Sequence, residues 1–308
     1  MILILCLAIL LVAPYLAEQL RKPMSDDIRQ QAPGHFAQLS QGLTHYDWIG
    51  PLRGPIIVCV HGLTTPSFVW RGLAKGLSAM GYRVLIYDLF GRGYSDRVDG
   101  IQDAEFFNRQ LEDLLADQKV GADITLVGYS MGGAIATSFA ARFPERIRHL
   151  VLIAPAGMVA DLGRLASFVA KTPVIGDWLM MALYPFQFRR GVTSEKDLAS
   201  SVPDIADLQL AELGKRGFVA AVLSSLRGML GQSLESEHRA LHRAGIPLLA
   251  VWGRQDDIIP ISAMGTLATW SRSARQEVIE DAGHGLTYTH TDEVLAAMRK
   301  GLATGPMG

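Results

Sequence analysis

Residues 126–133 read LVGYSMGG, and they restrict the fold more than any other stretch of the chain. Ser130 follows an apolar run typical of a buried strand and precedes a pattern typical of a helix. Gly128 and Gly132 flank it in the pattern G-x-S-x-G. In this context the pattern predicts a tight strand-to-helix turn, because the residues two positions away must lack side chains for the backbone to pass. The alternative is a structural strand end that contains a serine by chance.

Strand-like runs rich in β-branched residues recur along the chain, each bounded by turn residues. The strong runs are apolar on both faces, which is typical of a mostly parallel sheet covered by helices on both sides. Helical patterns lie between them, and this alternation predicts an α/β protein with a doubly wound sheet and right-handed crossovers. The predicted strands are 56–60, 83–87, 124–127, 150–154, 248–252 and 276–279, with weaker signals at 36–39 and 43–48; the predicted helices are 70–79, 103–118, 132–143 and 292–302.

The alternation stops between residue 157 and about residue 241, where prolines interrupt a stretch without a good strand. We predict that this stretch is a helical cap inserted into the sheet domain. Because 49% of the 308 residues are hydrophobic, one large core with an insertion fits the chain better than two equal domains. The predicted parts are an apolar segment over 1–20, a linker over 21–33, a core over 34–157 and 242–308, and a cap over 158–241.

The N-terminal segment MILILCLAILLVAPYLA contains no charged side chain. It is short of the ~20 residues that span a bilayer comfortably, and Tyr15 would occupy a position where signal cleavage prefers a small residue. We predict an uncleaved membrane anchor through residues 2–17, with Arg21 and Lys22 favouring a cytoplasmic body. A cleaved export signal and a soluble helix are the alternatives.

Charge and cysteine content argue against several classes of partner. The net charge is −1 and charged residues make up 19% of the chain, so no nucleic-acid or polybasic partner is indicated. Cys6 and Cys59 both lie in apolar runs, so we predict two buried residues and no disulfide. No CxxC pattern or histidine-rich cluster predicts a metal site, and the chemistry predicted below needs no cofactor.

A serine hydroxyl needs a base and an orienting acid to act as a nucleophile. His284 follows the last predicted strand, where an open α/β sheet places its chemistry, while His290 lies further on at the final helix. Asp256 follows the strand before it, and the adjacent Asp257 is chemically equivalent. We predict Ser130, Asp256 and His284 as the catalytic set and keep Asp257 as the alternative acid.

Two backbone N–H groups are predicted to stabilise an oxyanion. Met131 follows the serine at the start of the helix, so its N–H faces the position of an acyl oxygen. The second donor is the N–H of Leu63 in the loop His61–Gly62–Leu63–Thr64 after the strand 56–60. Taken alone, this loop is equally compatible with a plain turn.

The chain resembles the α/β-hydrolase superfamily, in its cap-bearing branch of esterases, monoacylglycerol-lipase-like enzymes and carbon–carbon bond hydrolases. The resemblance implies a nucleophile at Ser130, a base at His284, an orienting acid at Asp256 and oxyanion donors at Leu63 and Met131. It also implies that Asp88 and the glycines after it form a structural turn. Many relatives lack an N-terminal apolar segment, so the resemblance implies no location. The matching pieces are His61–Gly62, D-L-F-G-R-G-Y-S over 88–95, G-Y-S-M-G-G over 128–133, G-R-Q-D over 253–256 and Gly283–His284.

Within this superfamily the residues favour an ester hydrolase that forms an acyl-enzyme. Ser130 argues against the dehalogenases and epoxide hydrolases, whose nucleophile is an aspartate. Tyr129 and residues 63–66 depart from the carbon–carbon bond hydrolases, and Leu63 departs from the aromatic residue of perhydrolase-type relatives. A carbon–carbon bond hydrolase and a low-turnover receptor or scaffold of the same fold stay as alternatives.

The cap composition favours lipophilic substrates such as monoacylglycerols. Its Met and aromatic side chains are predicted to line an apolar pocket, although packing the cap on the body is the alternative role for each. The predicted binding residues are Met180, Met181, Phe186 and Phe188.

Overall fold

A mixed sheet forms the centre of the computed structural model, which describes residues 1–158 and 163–303. The sheet order is β1-β2-β4-β3-β5-β6-β7-β8; β1 pairs antiparallel with β2 and β2 with β4, and every other pairing is parallel. The predicted doubly wound, mostly parallel sheet is confirmed. In chain order the strands are β1 (His35–Gln38), β2 (Leu43–Ile49), β3 (Ile56–Val60), β4 (Arg83–Tyr87), β5 (Ile124–Tyr129), β6 (Ile147–Ile153), β7 (Leu248–Gly253) and β8 (Arg275–Ile279).

Helices flank this sheet and form the insertion between β6 and β7. The sequence patterns missed α2, α11 and α12, which are short helices of five, eight and four residues. In chain order the helices are α1 (Ile2–Gln19), α2 (Asp26–Gln30), α3 (Arg71–Ala79), α4 (Ala104–Asp117), α5 (Met131–Arg142), α6 (Arg164–Lys171), α7 (Ile175–Glu195), α8 (Ile205–Glu212), α9 (Phe218–Arg227), α10 (Glu235–Arg243), α11 (Ala263–Trp270), α12 (Leu286–Thr289) and α13 (Thr291–Ala303).

The strands are apolar on both faces because each face is covered by helices. Leu126 and Leu152 pack in the core on one face, whereas their neighbours Val127 and Ile153 pack in the core on the other. Helices α4, α5 and α10 cover the first face, and α3 and α13 cover the second. Full burial of one such side chain contributes about 1.5–3 kcal/mol. Because β3, β5, β7 and β8 run in the same direction, their carboxyl ends lie at one edge of the sheet.

Helices α6 to α9 form the cap, around a small apolar cluster of their own. Its centre includes Met180, Phe218 and Val222. Helix α10 begins inside the range 158–241 predicted for the cap, but it packs against α5 and α11 of the core. The cap boundary predicted at residue 241 thus falls within α10, whose amphipathic face buries Leu241 in the main core.

The N-terminal helix α1 lies along α7 of the cap. The Trp178 indole N–H donates to the Leu11 carbonyl (3.1 Å), and the Glu18 carboxylate accepts from the Gly217 N–H (2.6 Å). Within the described part of the chain, no helix is both long and apolar enough to cross a bilayer. This finding does not support the membrane anchor predicted for residues 2–17.

A buried histidine on α10 predicts a loss of stability in acid. The His238 side chain is fully buried, neither ring nitrogen has a hydrogen-bond partner in the described part of the protein, and burial lowers its pKa to about 4. Since the folded state binds the proton less readily than the unfolded chain does, the free energy of unfolding should fall as pH drops from about 6.5 towards 4. We expect His238→Leu to flatten this part of the pH profile and to leave stability at pH 7 unchanged or higher.

Urea denaturation of both proteins between pH 4.5 and 7.5 measures this effect. The matched control is His35→Leu, since His35 is exposed on β1. If the free energy of unfolding of His238→Leu changed with pH in parallel with that of the wild type, this histidine would not be the cause of the loss of stability in acid.

Candidate active site

Ser130 lies at the junction of β5 and α5 in a backbone conformation that few non-glycine residues adopt. Its φ is 55° and its ψ is −121°, and such strain is typical of functional turns. A Cβ atom at Gly128 would collide with the Gly132 carbonyl, and one at Gly132 would collide with the Val60 carbonyl. Both glycines are therefore required for β5 and α5 to meet beside β3. The predicted turn is present at this position.

Three of the predicted site residues form one hydrogen-bonded chain. His284 Nε2 lies 2.9 Å from Ser130 Oγ, and His284 Nδ1 lies 2.8 Å from Asp256 Oδ2. The other oxygen of Asp256 accepts hydrogen bonds of 2.8 Å from the N–H groups of Ile258 and Ile259. These bonds hold a carboxylate whose side chain is only 1% exposed. The hydrogen-bonding pattern is satisfied when Nδ1 donates to Asp256 and Nε2 accepts from the serine.

The alternative acid and the alternative base lie outside this chain. Asp257 is exposed to solvent. His290 lies between α12 and α13, where its Nδ1 contacts the Thr289 hydroxyl at 2.9 Å. The structure thus brings Asp256 and His284, but neither neighbour, to Ser130.

Tyr129 supports His284, and the sequence patterns did not identify this role. Its hydroxyl donates to the His284 carbonyl (3.0 Å), and the two rings lie 5.3 Å apart between centroids. The Trp70 ring packs edge-on against the Tyr129 ring, with 6.3 Å between the centroids. The only signal in the sequence was an aromatic residue in place of asparagine at this position of the turn.

Both predicted oxyanion donors lie beside the serine. Met131 is the first residue of α5, so its N–H has no acceptor in a preceding turn of the helix. The loop carrying Leu63 packs against the serine, because a Cβ at Gly62 would lie 3.2 Å from Ser130 Cβ. In the described part of the chain the Leu63 N–H donates to no acceptor, so it is available to a ligand.

His61 orients the peptide between Gly62 and Leu63. Its Nδ1 lies 2.8 Å from the Gly62 carbonyl, and its Nε2 accepts from the Leu89 N–H at 2.9 Å. Burial lowers the pKa of His61 to about 4, so the ring is neutral at pH 7 and its Nδ1 carries the proton. A hydrogen bond to the carbonyl strengthens the N–H on the same peptide as a donor. His61 thereby aims the Leu63 N–H away from the carbonyl it holds.

Asp88 organises the turn after β4 and does not contact the serine cluster. It is buried against His45 (2.8 Å) and accepts from the N–H groups of Ser67 and Tyr94. Burial alone would raise the pKa of Asp88, but the hydrogen bond and charge of His45 hold it below its usual range. These contacts agree with a structural role.

The cap contacts the segments that follow β3 and β8, and Ser130 itself is buried. Gln209 donates to the Thr65 hydroxyl (3.0 Å), and the Ser201 N–H donates to the Tyr288 carbonyl (2.8 Å). The Leu63 side chain packs against the apolar cluster of the cap. The site is therefore enclosed between the strand ends and this cluster.

The four cap residues predicted to bind substrate differ in position. Met180 is buried in the cap cluster, and Met181 and Phe188 pack against it. Phe186 is 69% exposed and lies outside the cluster, so the prediction that it lines the pocket is not supported. The reason is helical geometry: Phe186 lies two residues before Phe188 on α7, and residues two apart on a helix point in different directions.

No group of three or more histidine, cysteine, aspartate or glutamate side chains suited to a metal ion occurs among the described residues. The described cluster is instead suited to nucleophilic chemistry: a hydroxyl hydrogen-bonded to an imidazole, an imidazole oriented by a buried carboxylate, and two backbone N–H groups beside the serine.

Comparison with curated proteins finds hydrolases and a decarboxylase among the relatives. The chain is 30% identical to 2-hydroxymuconate semialdehyde hydrolase of Pseudomonas sp. (strain CF600) over 247 residues, which cover 76% of this chain and 82% of that enzyme. It is 26% identical over 288 residues to cis-3-alkyl-4-alkyloxetan-2-one decarboxylase of Shewanella oneidensis, covering 86% of each.

Comparison with solved structures and with a family model identifies the fold. A bacterial membrane phospholipase A covers 98% of this chain and 95% of its own at a TM-score of 0.70 and 20% identity. An enol-lactonase from Burkholderia xenovorans LB400 covers 88% of this chain and all of its own at a TM-score of 0.69 and 23% identity. Residues 55–291 match the family model of the alpha/beta hydrolase fold. With this match over most of its length, the chain belongs to the α/β-hydrolase family of enzymes.

Proposed function

We propose that the protein hydrolyses carboxylic esters through an acyl-enzyme. The observation that carries this proposal is the unbroken chain from Ser130 Oγ through His284 to Asp256, at a strained turn beside two available N–H groups. Each part corresponds to a requirement of acyl transfer: a nucleophile, a proton acceptor, an orienting acid and oxyanion donors. We assign these roles to Ser130, His284, Asp256, Leu63 and Met131.

In the proposed mechanism, His284 Nε2 takes the hydroxyl proton as Ser130 Oγ bonds to the ester carbonyl carbon. The carbonyl oxygen becomes an oxyanion that accepts hydrogen bonds from the N–H groups of Leu63 and Met131. His284 then gives its proton to the alcohol as the carbon–oxygen bond breaks, which leaves an acyl-serine. A water molecule, deprotonated by the same imidazole, hydrolyses this ester and restores the hydroxyl.

We further propose lipophilic, uncharged substrates such as monoacylglycerols. The cap cluster against which Leu63 packs is apolar, and it includes the Phe218 ring; the Phe188 ring is tilted against Phe218 and stacked on the Tyr184 ring. Arg92 is buried at the same boundary, but its N–H groups all contact protein acceptors, which leaves none for a substrate carboxylate. This environment favours an acyl chain over an acidic substrate.

Carbon–carbon bond hydrolysis is the second candidate function. It is favoured by the relatives, among which are 2-hydroxymuconate semialdehyde hydrolase and 2-hydroxy-6-oxononadienedioate/2-hydroxy-6-oxononatrienedioate hydrolases. The names of the latter describe dicarboxylates, for which the buried Arg92 has no donor left. The two candidates therefore differ in the charge that the cap must accept.

Steady-state assays on the purified full-length chain separate these candidates. p-Nitrophenyl esters of two to sixteen carbons should be hydrolysed with a kcat/KM that rises with chain length, while a 2-hydroxy-6-oxo-dienoate should be cleaved at least ~10²-fold less efficiently, since its carboxylate would be buried unpaired. Ser130→Ala protein controls for contaminating esterases. Efficient dienoate cleavage with no ester turnover would overturn the proposal.

We also propose that α1 associates with a lipid surface. It carries a run of exposed apolar side chains, and the exposed face of the cap beside it adds others together with exposed Arg189 and Arg190. Such a combination favours the interface of an anionic bilayer. The cytoplasmic side stays a prediction from Arg21 and Lys22. The exposed apolar residues are Ile2, Ile4, Leu5, Ile9, Leu10, Leu11, Val12, Tyr15 and Leu16 on α1, and Phe168, Val174, Ile175, Leu183 and Phe186 on the cap.

Flotation with phosphatidylcholine vesicles, with and without phosphatidylglycerol, tests this association. We expect Ile9→Asp to reduce vesicle binding at least about 10-fold, because a carboxylate resists transfer into the acyl region. The matched control is Leu52→Asp, since Leu52 is also an exposed apolar residue but lies in the turn between β2 and β3. Equal binding by both variants would exclude α1 as the contact surface.

A further inference from the structure

Arg92 is a fully buried arginine whose five N–H donors all have acceptors. Its Nε donates to the Leu63 carbonyl at 3.0 Å. One terminal nitrogen donates to the Phe90 carbonyl (2.9 Å) and to the Gln102 side chain, and the other donates to the Ala221 carbonyl (3.2 Å) and the Ser225 hydroxyl (2.8 Å). A guanidinium has five donors, so none remains for a ligand. Arg92 therefore acts on other residues and not on substrate.

These acceptors belong to three parts of the molecule that are far apart in sequence. Leu63 lies in the loop after β3, Phe90 and Gln102 lie between β4 and α4, and Ala221 and Ser225 lie on cap helix α9. The same cap helix also reaches Gln102 through the Ser225 hydroxyl, which donates to the amide oxygen at 2.7 Å. The planar guanidinium thus connects the loop that carries Leu63, here called the oxyanion loop, to the cap.

Leu63 is consequently held from both sides. Gly62, before it, packs on Ser130, and its carbonyl is held by His61. The carbonyl of Leu63 itself is held by Arg92. The Leu63 N–H belongs to the same planar peptide as the Gly62 carbonyl, and the next peptide is held as well, so the direction of this N–H is fixed.

We propose that Arg92 is a positioning residue that transmits the placement of cap helix α9 to the oxyanion-binding N–H of Leu63. This inference rests on the proposed role of Leu63 in ester hydrolysis. In this arrangement, correct seating of the cap aligns the oxyanion site, so the catalytic rate depends on a contact remote from the scissile bond.

Arg92→Lys and Ser225→Ala test this coupling. A lysine has one nitrogen and cannot reach Leu63 and α9 in the same fork, so we expect kcat to fall roughly 10- to 10²-fold with KM changed less than about threefold. Ser225→Ala removes one contact on the cap side and should lower kcat about two- to fivefold. The matched control is Arg97→Lys, because Arg97 donates to the Gly93 and Ser95 carbonyls after β4 and to the Arg216 carbonyl of the cap, but does not contact Leu63.

A thionoester substrate provides a readout that a purely structural role would not change. Sulfur accepts hydrogen bonds poorly, so an intact oxyanion site prefers the oxygen ester to the thionoester. The kcat/KM for the oxygen ester divided by that for the thionoester should therefore drop in Arg92→Lys but not in Arg97→Lys. A loss of folded protein would lower both rates equally and leave the ratio constant. An unchanged ratio in both Arg92→Lys and Ser225→Ala would overturn the inference.

The rate of inactivation by a fluorophosphonate separates this inference from the proposed substrate class. The phosphoryl oxygen occupies the oxyanion position whatever the natural substrate is. Slower labelling of Arg92→Lys by at least ~10-fold would support the coupling even if no ester is turned over. Equal labelling rates of wild type, Arg92→Lys and Ser225→Ala would contradict it, even in an active esterase.

Discussion

Ser130→Ala is expected to lower kcat for the best ester substrate by about 10⁴-fold or more, because no other group in the site can form the acyl-enzyme. The protein should stay folded, since alanine removes only an Oγ whose hydrogen-bond partner in the site is His284. Pre-steady-state release of p-nitrophenol measures the result directly: the wild type should give a burst equal to the enzyme concentration, and the variant should give none.

Ser138→Ala is the matched control for this prediction. Ser138 is also a buried serine, but it lies within α5, where its hydroxyl accepts from Asn108 at 3.0 Å, so its loss should leave turnover within a fewfold of the wild type. Labelling by a fluorophosphonate should be abolished in Ser130→Ala and kept in Ser138→Ala. A folded wild type that resists labelling would instead support a receptor or scaffold of this fold.

Asp256→Asn is expected to lower kcat about 10⁴-fold, whereas Asp257→Asn should stay within a fewfold of the wild type. An asparagine keeps the shape and can still accept from Ile258 and Ile259, but its amide presents a donor to His284 Nδ1. The ring is then driven to the tautomer with its proton on Nε2, which cannot accept the serine proton. The adjacent pair is a matched comparison, since both residues receive the same change.

The measurement is kcat/KM across pH for both variants, with thermal unfolding as the check on folding. If Asp257→Asn were the damaging change, the orienting acid would be the neighbouring residue. If both variants were fully active, His284 would need no carboxylate partner, and the proposed mechanism would lose one of its parts.

Much of the fold follows from local patterns. The run Ile124–Tyr129 is buried on both faces, and the glycines around Ser130 are those that a tight turn requires. The strand β5, the turn at Ser130 and the start of α5 can therefore all be predicted from one short stretch. The closeness of the loops after β7 and β8 can also be predicted from the sequence, because parallel strands place their carboxyl ends at one edge of the sheet. The choice between Asp256 and Asp257 is different in kind, since two adjacent carboxylates have the same local pattern.

Apart from the short helices, the missed features depend on partners that are distant in the chain. Arg92 contacts Ser225 across 133 positions, and Tyr129 contacts His284 across 155. Neither partner changes the local periodicity around Arg92 or Tyr129. The position of α10 was missed for the same reason, because an amphipathic helix does not specify which apolar surface will receive it.

The sequence by itself determined the order of the strands and of the longer helices between them, the strained serine turn and the loops that carry His284 and the acid, because glycine placement and apolar periodicity act over a few residues. Only the tertiary structure decided which carboxylate meets the imidazole, which ring supports it and how the cap reaches the oxyanion loop. Those choices depend on distances of about 3 Å between side chains that only the assembled sheet and cap bring together.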